Sequence, residues 1–327
     1  MGACNSSSNA QNPTHKLHRA VERNNLADAE ALLKEGAEVD AVDGKGDVSR
    51  RYNYVRTPLQ KARTVEMFKL LLAHGADITR RDADGSTILH NKIGNDKMLE
   101  ILAEAEGIEK IIGKKNKPDG DTIFHIEIFQ TRDSRRESIA GLIKLIDKAY
   151  EVQASVLTCE NAKGRTPLMA ACRNGFTDIV KKLLFMGGDV NDVDAEQWDP
   201  LMCAAYKPLD LSIIKILLDA GADIEREGPH GRTAYLCAAF GEEGDGEGKK
   251  AMKILEQRGA NTKVKDAEGQ GAEDLIQFNE LRKFAELNSK RRSSSRVNIH
   301  SVSKAGIGEE ELLGGAPHRA RSSRSSG

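Results

Sequence analysis

From Gly164 to Asn191 the chain reads as two short apolar clusters set between polar breakers: Leu168, Met169, Ala170, Ala171 and Cys172, then Ile179, Val180, Leu183 and Leu184. The spacing of the second cluster puts its side chains on one face of a helix. Thr166 predicts an N-cap, because its hydroxyl can accept a backbone N–H that the first turn leaves unbonded. Pro167 suits the first helical position, where a missing donor is not needed. The small residues that follow let a second backbone approach closely. Gly175 predicts a left-handed stop, Thr177 or Asp178 a restart, and Gly187 with Gly188 a second stop. Two helices this short cannot bury their apolar faces alone, so the unit has to stack on copies of itself.

Copies run along most of the chain. The first opens at residues 15–20 and closes with Leu32, Leu33, Gly36 and Ala37. After an expanded loop, residues 43–55, the second runs from Arg56, Thr57, Pro58 and Leu59 to Gly75, Ala76, Asp77 and Ile78. A third begins at Ser86-Thr87 and a fourth at Asp121-Thr122, the fourth lengthened by residues 131–139. The sixth starts at Trp198, Asp199 and Pro200, the seventh at Gly231, Arg232 and Thr233. A degenerate unit from Gly271, with Leu275, Leu281, Phe284 and Leu287, closes the series. Thr166 and Asp199 lie 33 residues apart, Asp199 and Thr233 34, Thr57 and Thr87 30, and Thr87 and Thr122 35.

These units resemble ankyrin repeats, whose period is about 33 residues and whose signature is T-P-L-H-x-A. The resemblance is tight in the fifth and sixth units. It is loose in the third and fourth, which keep His90 and His125 but lose the proline and the alanine pair. It implies an all-α ankyrin-repeat solenoid, an L-shaped stack of helix pairs with hairpin-like loops projecting to one side. It also implies that the rings of His18, His90 and His125 bridge backbone groups of adjacent units rather than bind metal.

Composition fits that picture. A hydrophobic fraction of 39% with only 4% aromatic residues suits Leu- and Ala-rich helix packing, and a net charge of −1 argues against nucleic acid as a partner. No apolar run approaches the length of a membrane span. Five cysteines, an odd number, without a secretion-type apolar leader favour a reducing cytosol. Cys203 and Cys237 fall in the slot of Ala170. Packed helices stand about 8–10 Å apart whereas a disulfide needs Cα atoms within about 7 Å, so both are expected reduced and buried. The glycine- and acid-rich residues 241–250 lack the alternating pattern of a calcium loop and read as a solvated connection. No phosphate-cradling loop, nucleophile elbow or metal-ligand spacing occurs. The expectation is a protein that is not an enzyme, with no catalytic residue, no cofactor and no metal.

The two ends differ from the middle. Residues 1–13 carry no charged side chain and match M-G-x-x-x-[ST], with Gly2 as a myristoylation site, Ser6 in the required place and Cys4 as a site for a second acyl chain. One myristoyl chain binds a membrane with an association constant of only about 10⁴ M⁻¹, so a second signal matters. From 288 to 327 the chain is Ser/Arg-rich, with eight basic residues against three acidic, and is expected to be disordered. The organisation is therefore a leader at 1–13, a repeat domain at 14–287 and a basic tail at 288–327. Arg135-Arg136-Glu137-Ser138 and Arg291-Arg292-Ser293-Ser294 have the pattern of basophilic kinase substrates, which makes Ser138, Ser293 and Ser294 candidate phosphorylation sites. A phosphate adds about −1.5 to −2 charges. Each basic residue near an anionic membrane is worth about 1 kcal/mol, so phosphorylating the tail would weaken its hold there.

The expected function is a non-enzymatic protein-binding scaffold or adaptor, tethered by N-terminal acylation to the cytoplasmic face of a membrane. Its partner surface is expected on the loop tips and the inner helix face, at Asp43, Lys45, Arg80, Arg81, Asp82, Asp84, Asp192, Asp194, Glu196, Trp198 and Asp266. Trp198, where a loop returns to the stack, reads as an anchor for a partner or as packing. The alternative is a soluble regulatory or inhibitory subunit of a kinase or phosphatase.

Overall fold

The computed structural model describes residues 13–42, 56–82, 85–92, 95–117, 119–130, 139–241, 246–279 and 281. The chain divides into two units, Met1–Leu275 and Ile276–Gly327; in the second, residues 276–279 are helical. The first holds seven helix pairs among its described residues. They are α1 (Pro13–Glu22) with α2 (Leu26–Lys34), α3 (Pro58–Lys61) with α4 (Val65–Ala73), and α5 (Ile88–Asn91) with α6 (Asp96–Ala103). Next come α7 (Ile123–Gln130) with α8 (Ala140–Gln153), and α9 (Pro167–Asn174) with α10 (Thr177–Phe185). The series ends with α11 (Pro200–Tyr206) and α12 (Leu211–Asp219), then α13 (Ala234–Gly241) and α14 (Glu247–Gln257). No strand occurs among the described residues.

First helices pack on first helices, from α1 through α3, α5, α7, α9 and α11 to α13, and second helices form the other layer. The contact surfaces are the ones the pattern marks. Leu201, Ala205, Leu236, Ala238 and Ala239 are sealed between first helices, and Ile179, Val180, Leu183, Ile214 and Leu217 under the second. Small residues set the spacing: a Cβ added to Gly241 would fall on the Tyr206 carbonyl.

The caps follow the predicted chemistry. Thr166 Oγ1 accepts from Met169 N–H at 3.4 Å, and Asp199 takes the same role toward Met202 at 2.7 Å. Asp199 is sealed from solvent, and burial pushes its carboxyl up to about 6 although Met202 N–H and Arg226 favour the charged form. Gly175 ends α9 with φ +75, the left-handed stop expected of it.

Polar bridges tie the earlier units together. Thr87 N–H donates to His90 Nδ1 at 3.1 Å, and the other ring nitrogen meets the Asp121 carbonyl at 3.2 Å. His125 repeats this between Thr122 N–H, 3.2 Å, and the Arg165 carbonyl, 2.9 Å. Nδ1 is thus an acceptor and Nε2 carries the proton, a neutral ring, and burial lowers the pKa of both histidines. In the second unit Gln60 does the same work: its Oε1 accepts from Thr57 N–H at 3.0 Å and its Nε2 donates to the Arg80 carbonyl at 3.3 Å. His18 reaches the Ala41 carbonyl at 2.7 Å. Lys92 occupies the slot that holds Ala171 in the fifth unit. It is buried, donates to the carbonyls of Gln60 and Ala62, and lies 5.6 Å from the centre of the Phe68 ring. Burial pushes its pKa down to about 8.

Candidate functional site

Between successive pairs the chain turns through a five-residue loop, at 161–165, 194–198, 228–232 and 266–270. Each loop closes on itself by a hydrogen bond from its first N–H to its fifth carbonyl, as Asp194 to Trp198 at 2.9 Å and Asp266 to Gln270 at 3.0 Å. Where the first residue is Asn or Asp, its side chain accepts the N–H groups of the third and fifth. Asp194 Oδ1 takes Glu196 and Trp198, both at 2.9 Å; Asp266 Oδ1 takes Glu268 at 3.0 Å and Gln270 at 2.9 Å. The second carboxylate oxygen receives the arginine that ends the preceding loop, Arg165 Nε on Asp194 and Arg232 Nε on Asp266, each at 3.1 Å.

This geometry sorts the loop residues singled out from the sequence. Asp82, Asp194 and Asp266 are buried, and their carboxylates hold the turns. Arg80 and Arg81 are exposed, with Arg80 Nε 3.6 Å from Asp77. Asp192 is half-buried, and that burial raises its pKa. Glu196 is exposed, 3.5 Å from the Arg165 guanidinium, and Trp198 is half-buried. Asp43, Lys45 and Asp84 lie outside the described residues, as do Gly2, Cys4, Ser6, Ser138, Ser293, Ser294, Phe284 and Leu287.

Trp198 opens onto a feature that the loop tips alone do not show. Its ring meets Tyr206 edge-on, centroids 5.4 Å apart at 81°, and Tyr206 lies 6.1 Å from Phe240. The Arg232 guanidinium stacks on Phe240 at 4.1 Å from its centre. These side chains, with Arg165 and Arg173, line a pocket of about 360 Å³. A second pocket of about 250 Å³ adjoins it toward His125 and Met169, and Arg165 and Arg173 line both. The residues form two columns. Arg165, Trp198 and Arg232 stand one place before the caps Thr166, Asp199 and Thr233; Arg173, Tyr206 and Phe240 stand seven places after them. The repeat period therefore assembles the site, and aligning the units on their caps is the sequence signal that finds it.

The groove is built for contact. Cys203 and Cys237 in its floor are free thiols, and burial pushes Cys203 up to about 12 and raises Cys237 as well, so neither supplies a thiolate. Among the described residues no group of three His, Cys, Asp or Glu side chains is placed to hold a metal ion. Tryptophan, tyrosine and arginine are the residue types that dominate protein interfaces.

Residues 136–228 match the family model for ankyrin repeats in three copies. The fold is an ankyrin-repeat solenoid. Rabankyrin-5 of Mus musculus is 27% identical to the chain over 234 residues, covering 67% of the chain but 18% of the relative. Protein phosphatase 1 regulatory subunit 12A of Rattus norvegicus is 28% identical over 141 residues, 42% of the chain and 12% of the relative. The human Ankyrin repeat and SOCS box protein 11 is 39% identical over 75 residues, 23% of the chain and 22% of the relative. The chain thus spans less than a quarter of each of these proteins. Ankyrin repeats mediate protein–protein binding. No helix among the described residues is long and apolar enough to cross a membrane.

Proposed function

We propose that the chain is a non-enzymatic adaptor that takes its protein partner in the groove between the two columns, Arg165–Trp198–Arg232 and Arg173–Tyr206–Phe240. The observation that carries this reading is the run of arginines and partly exposed aromatic rings lining two adjoining pockets of the groove. A photo-activated cross-linker placed at Tyr206 traps the partner, whereas the same group at Lys215, exposed on the opposite helix layer, does not. Equal trapping from both positions, or none from Tyr206, overturns the reading.

The N-terminal pattern adds a membrane tether through acyl groups on Gly2 and Cys4, supported by the basic tail. Gly2→Ala and Cys4→Ser are then each expected to release a tagged protein from the membrane fraction. Parent-like distribution of both variants rules the tether out. A second reading, a regulatory subunit of a phosphatase, is favoured by the similarity to Protein phosphatase 1 regulatory subunit 12A. It predicts that the trapped partner is a phosphatase catalytic subunit.

A further inference from the structure

The loops are joined edge to edge. Ala162 N–H donates to the Asp119 carbonyl, Ala195 N–H to Lys163, and Ala267 N–H to His230, each at 2.8 Å. In every case the second residue of one loop gives its N–H to the residue two places before the end of the loop before it. Between 194–198 and 228–232 the second residue is Pro229, which has no N–H to give. Among the described residues no hydrogen bond reaches the Glu196 carbonyl.

Other contacts of that seam are altered too, although the two backbones stay close, a Cβ on Gly228 standing 2.9 Å from the Gln197 carbonyl oxygen. At the fourth position Gly120, Gly164 and Gly231 press on the next loop, so that a Cβ on each would stand 3.2, 3.1 and 3.2 Å from its backbone nitrogen. Here the fourth residue is Gln197, which carries a Cβ and has φ +66. The first residue of the following loop is Gly228 instead of Asn or Asp, and the fifth of the preceding loop is Trp198 instead of arginine. The forward ion pair made by Arg165 and by Arg232 therefore has no counterpart. Pro118, four places before Thr122, holds the matching place in the sequence and lies outside the described residues.

This seam, which lacks the loop-to-loop hydrogen bond, lies over the aromatic pocket, which Glu196 and Pro229 also line. Its charge is unbalanced in one direction. Arg165 is held by Asp194 and Glu196, and Arg232 by Asp266. Arg173, half-buried between the two pockets, has no carboxylate or carbonyl partner among the described residues.

We infer that this seam is a docking slot for an extended acidic–apolar segment of a partner protein. The segment's main-chain N–H bonds the Glu196 carbonyl in place of the donor that Pro229 lacks. An apolar side chain enters against Trp198, Tyr206 and Phe240, and a neighbouring carboxylate sits on Arg173. A main-chain hydrogen bond to the unbonded carbonyl anchors the segment, and the pocket and the arginine supply the selection. The inference rests on the groove being the partner surface.

Trp198 is the only tryptophan, so its emission reports on this pocket directly. The probe is an octapeptide with a Glu-Glu-Leu-Leu core and no aromatic residue, titrated into the full chain carrying Leu312→Ser and Leu313→Ser, because residues 310–313 repeat that core. A saturable blue shift is expected, weakened about tenfold in Arg173→Ala and at least threefold in Pro229→Ala, whose new N–H closes the seam onto Glu196. N-methylating the two leucine nitrogens of the peptide is expected to weaken binding as well. Thermal melts of both variants verify that they stay folded. A Lys-Lys-Leu-Leu core that binds equally well overturns the inference. So does parent-like affinity in either variant or for the N-methylated peptide, or the absence of a saturable shift up to millimolar peptide. If the peptide fails while the cross-linker at Tyr206 still traps a partner, the slot chemistry falls and the groove stands. If both fail, the groove reading falls with it.

Discussion

The stack from α9 to α14 and the stack from α3 to α8 obey the same plan and hold together by different means. In the later units the first helices have 8, 7 and 8 residues; α3 and α5 have 4 each. At the third place after the cap the later units carry Met169, Met202 and Leu236, and the earlier ones Gln60, His90 and His125. One half is closed by apolar columns, the other by polar groups reaching across from unit to unit. In α3 and α5 a short first helix buries little apolar surface and a satisfied hydrogen bond to the next unit replaces part of it; α7, with 8 residues, keeps the same bridge at full length. The cost is that bridging groups can titrate, and acid or base should act mainly on that half.

The largest expected effect breaks the apolar side. Gly241→Ala drives a Cβ onto the Tyr206 carbonyl and should cost about 3 kcal/mol in chemical denaturation, mainly by parting α13 from α11. Next comes the polar side. His125→Leu strands the Thr122 N–H and the Arg165 carbonyl and should cost about 2 kcal/mol, whereas His125→Gln, copying Gln60, should stay within about 0.5 kcal/mol of the parent. Because burial lowers the folded-state pKa of His125, protonation favours the unfolded chain; the parent should lose stability as pH falls below the ordinary histidine value of about 6.5, and the Gln variant lacks this contribution.

Lys92 gives a smaller effect of the same kind on the alkaline side. Its folded pKa of about 8 lies below the ordinary 10.5, so the unfolded state binds the extra proton between them. Stability should rise by about 1–2 kcal/mol from pH 7.5 to 9.5 in the parent relative to Lys92→Met, followed by urea melts at the two pH values. The smallest effect falls on Asp199, the carboxylate that caps a first helix of the regular half. Asp199 has a folded pKa of about 6 against 3.8 unfolded, so its contribution is full below 3.8 and is lost as pH rises through 6. Asp199→Thr, which places here the residue found at the same position before α3, α5, α7, α9 and α13, should gain about 1 kcal/mol at pH 7.5 and should not share the parent's relative gain on acidification to pH 4. If a change of pH shifts the stability of both halves equally and in the same direction, the contrast between them is lost.

The helices and their ends were legible because Thr166, Pro167 and Gly175 each impose a local backbone requirement that survives in any context. Bridging by His90 and His125 followed from the family resemblance, since their partners lie 31 and 40 residues away and no local rule reaches that far. The groove was only half legible. Trp198 stood out as the single tryptophan, but Arg173, Tyr206 and Phe240 show their common role only when the units are aligned on their caps. Acids at the loops drew attention as charge, and charge alone does not separate Glu196, which is exposed, from Asp194 and Asp266, which sit at the turn-forming first position. Lys92 gave no signal, because a buried lysine is satisfied here by carbonyls, and every residue has one.

The cross-unit bridges also decide which parts of the chain are interchangeable. The third unit reaches backward through Lys92 to two carbonyls of the second and forward through His90 to the fourth, so it is fitted to both neighbours and to no others. The sixth packs its helices on its neighbours through leucine and alanine, and its polar links, Arg165 to Asp194 and Asn191 to the Asp223 N–H, join loops rather than cores. Duplication, deletion or grafting of whole units should therefore succeed in the later half and fail in the earlier one, leaving the third unit's place in the order fixed.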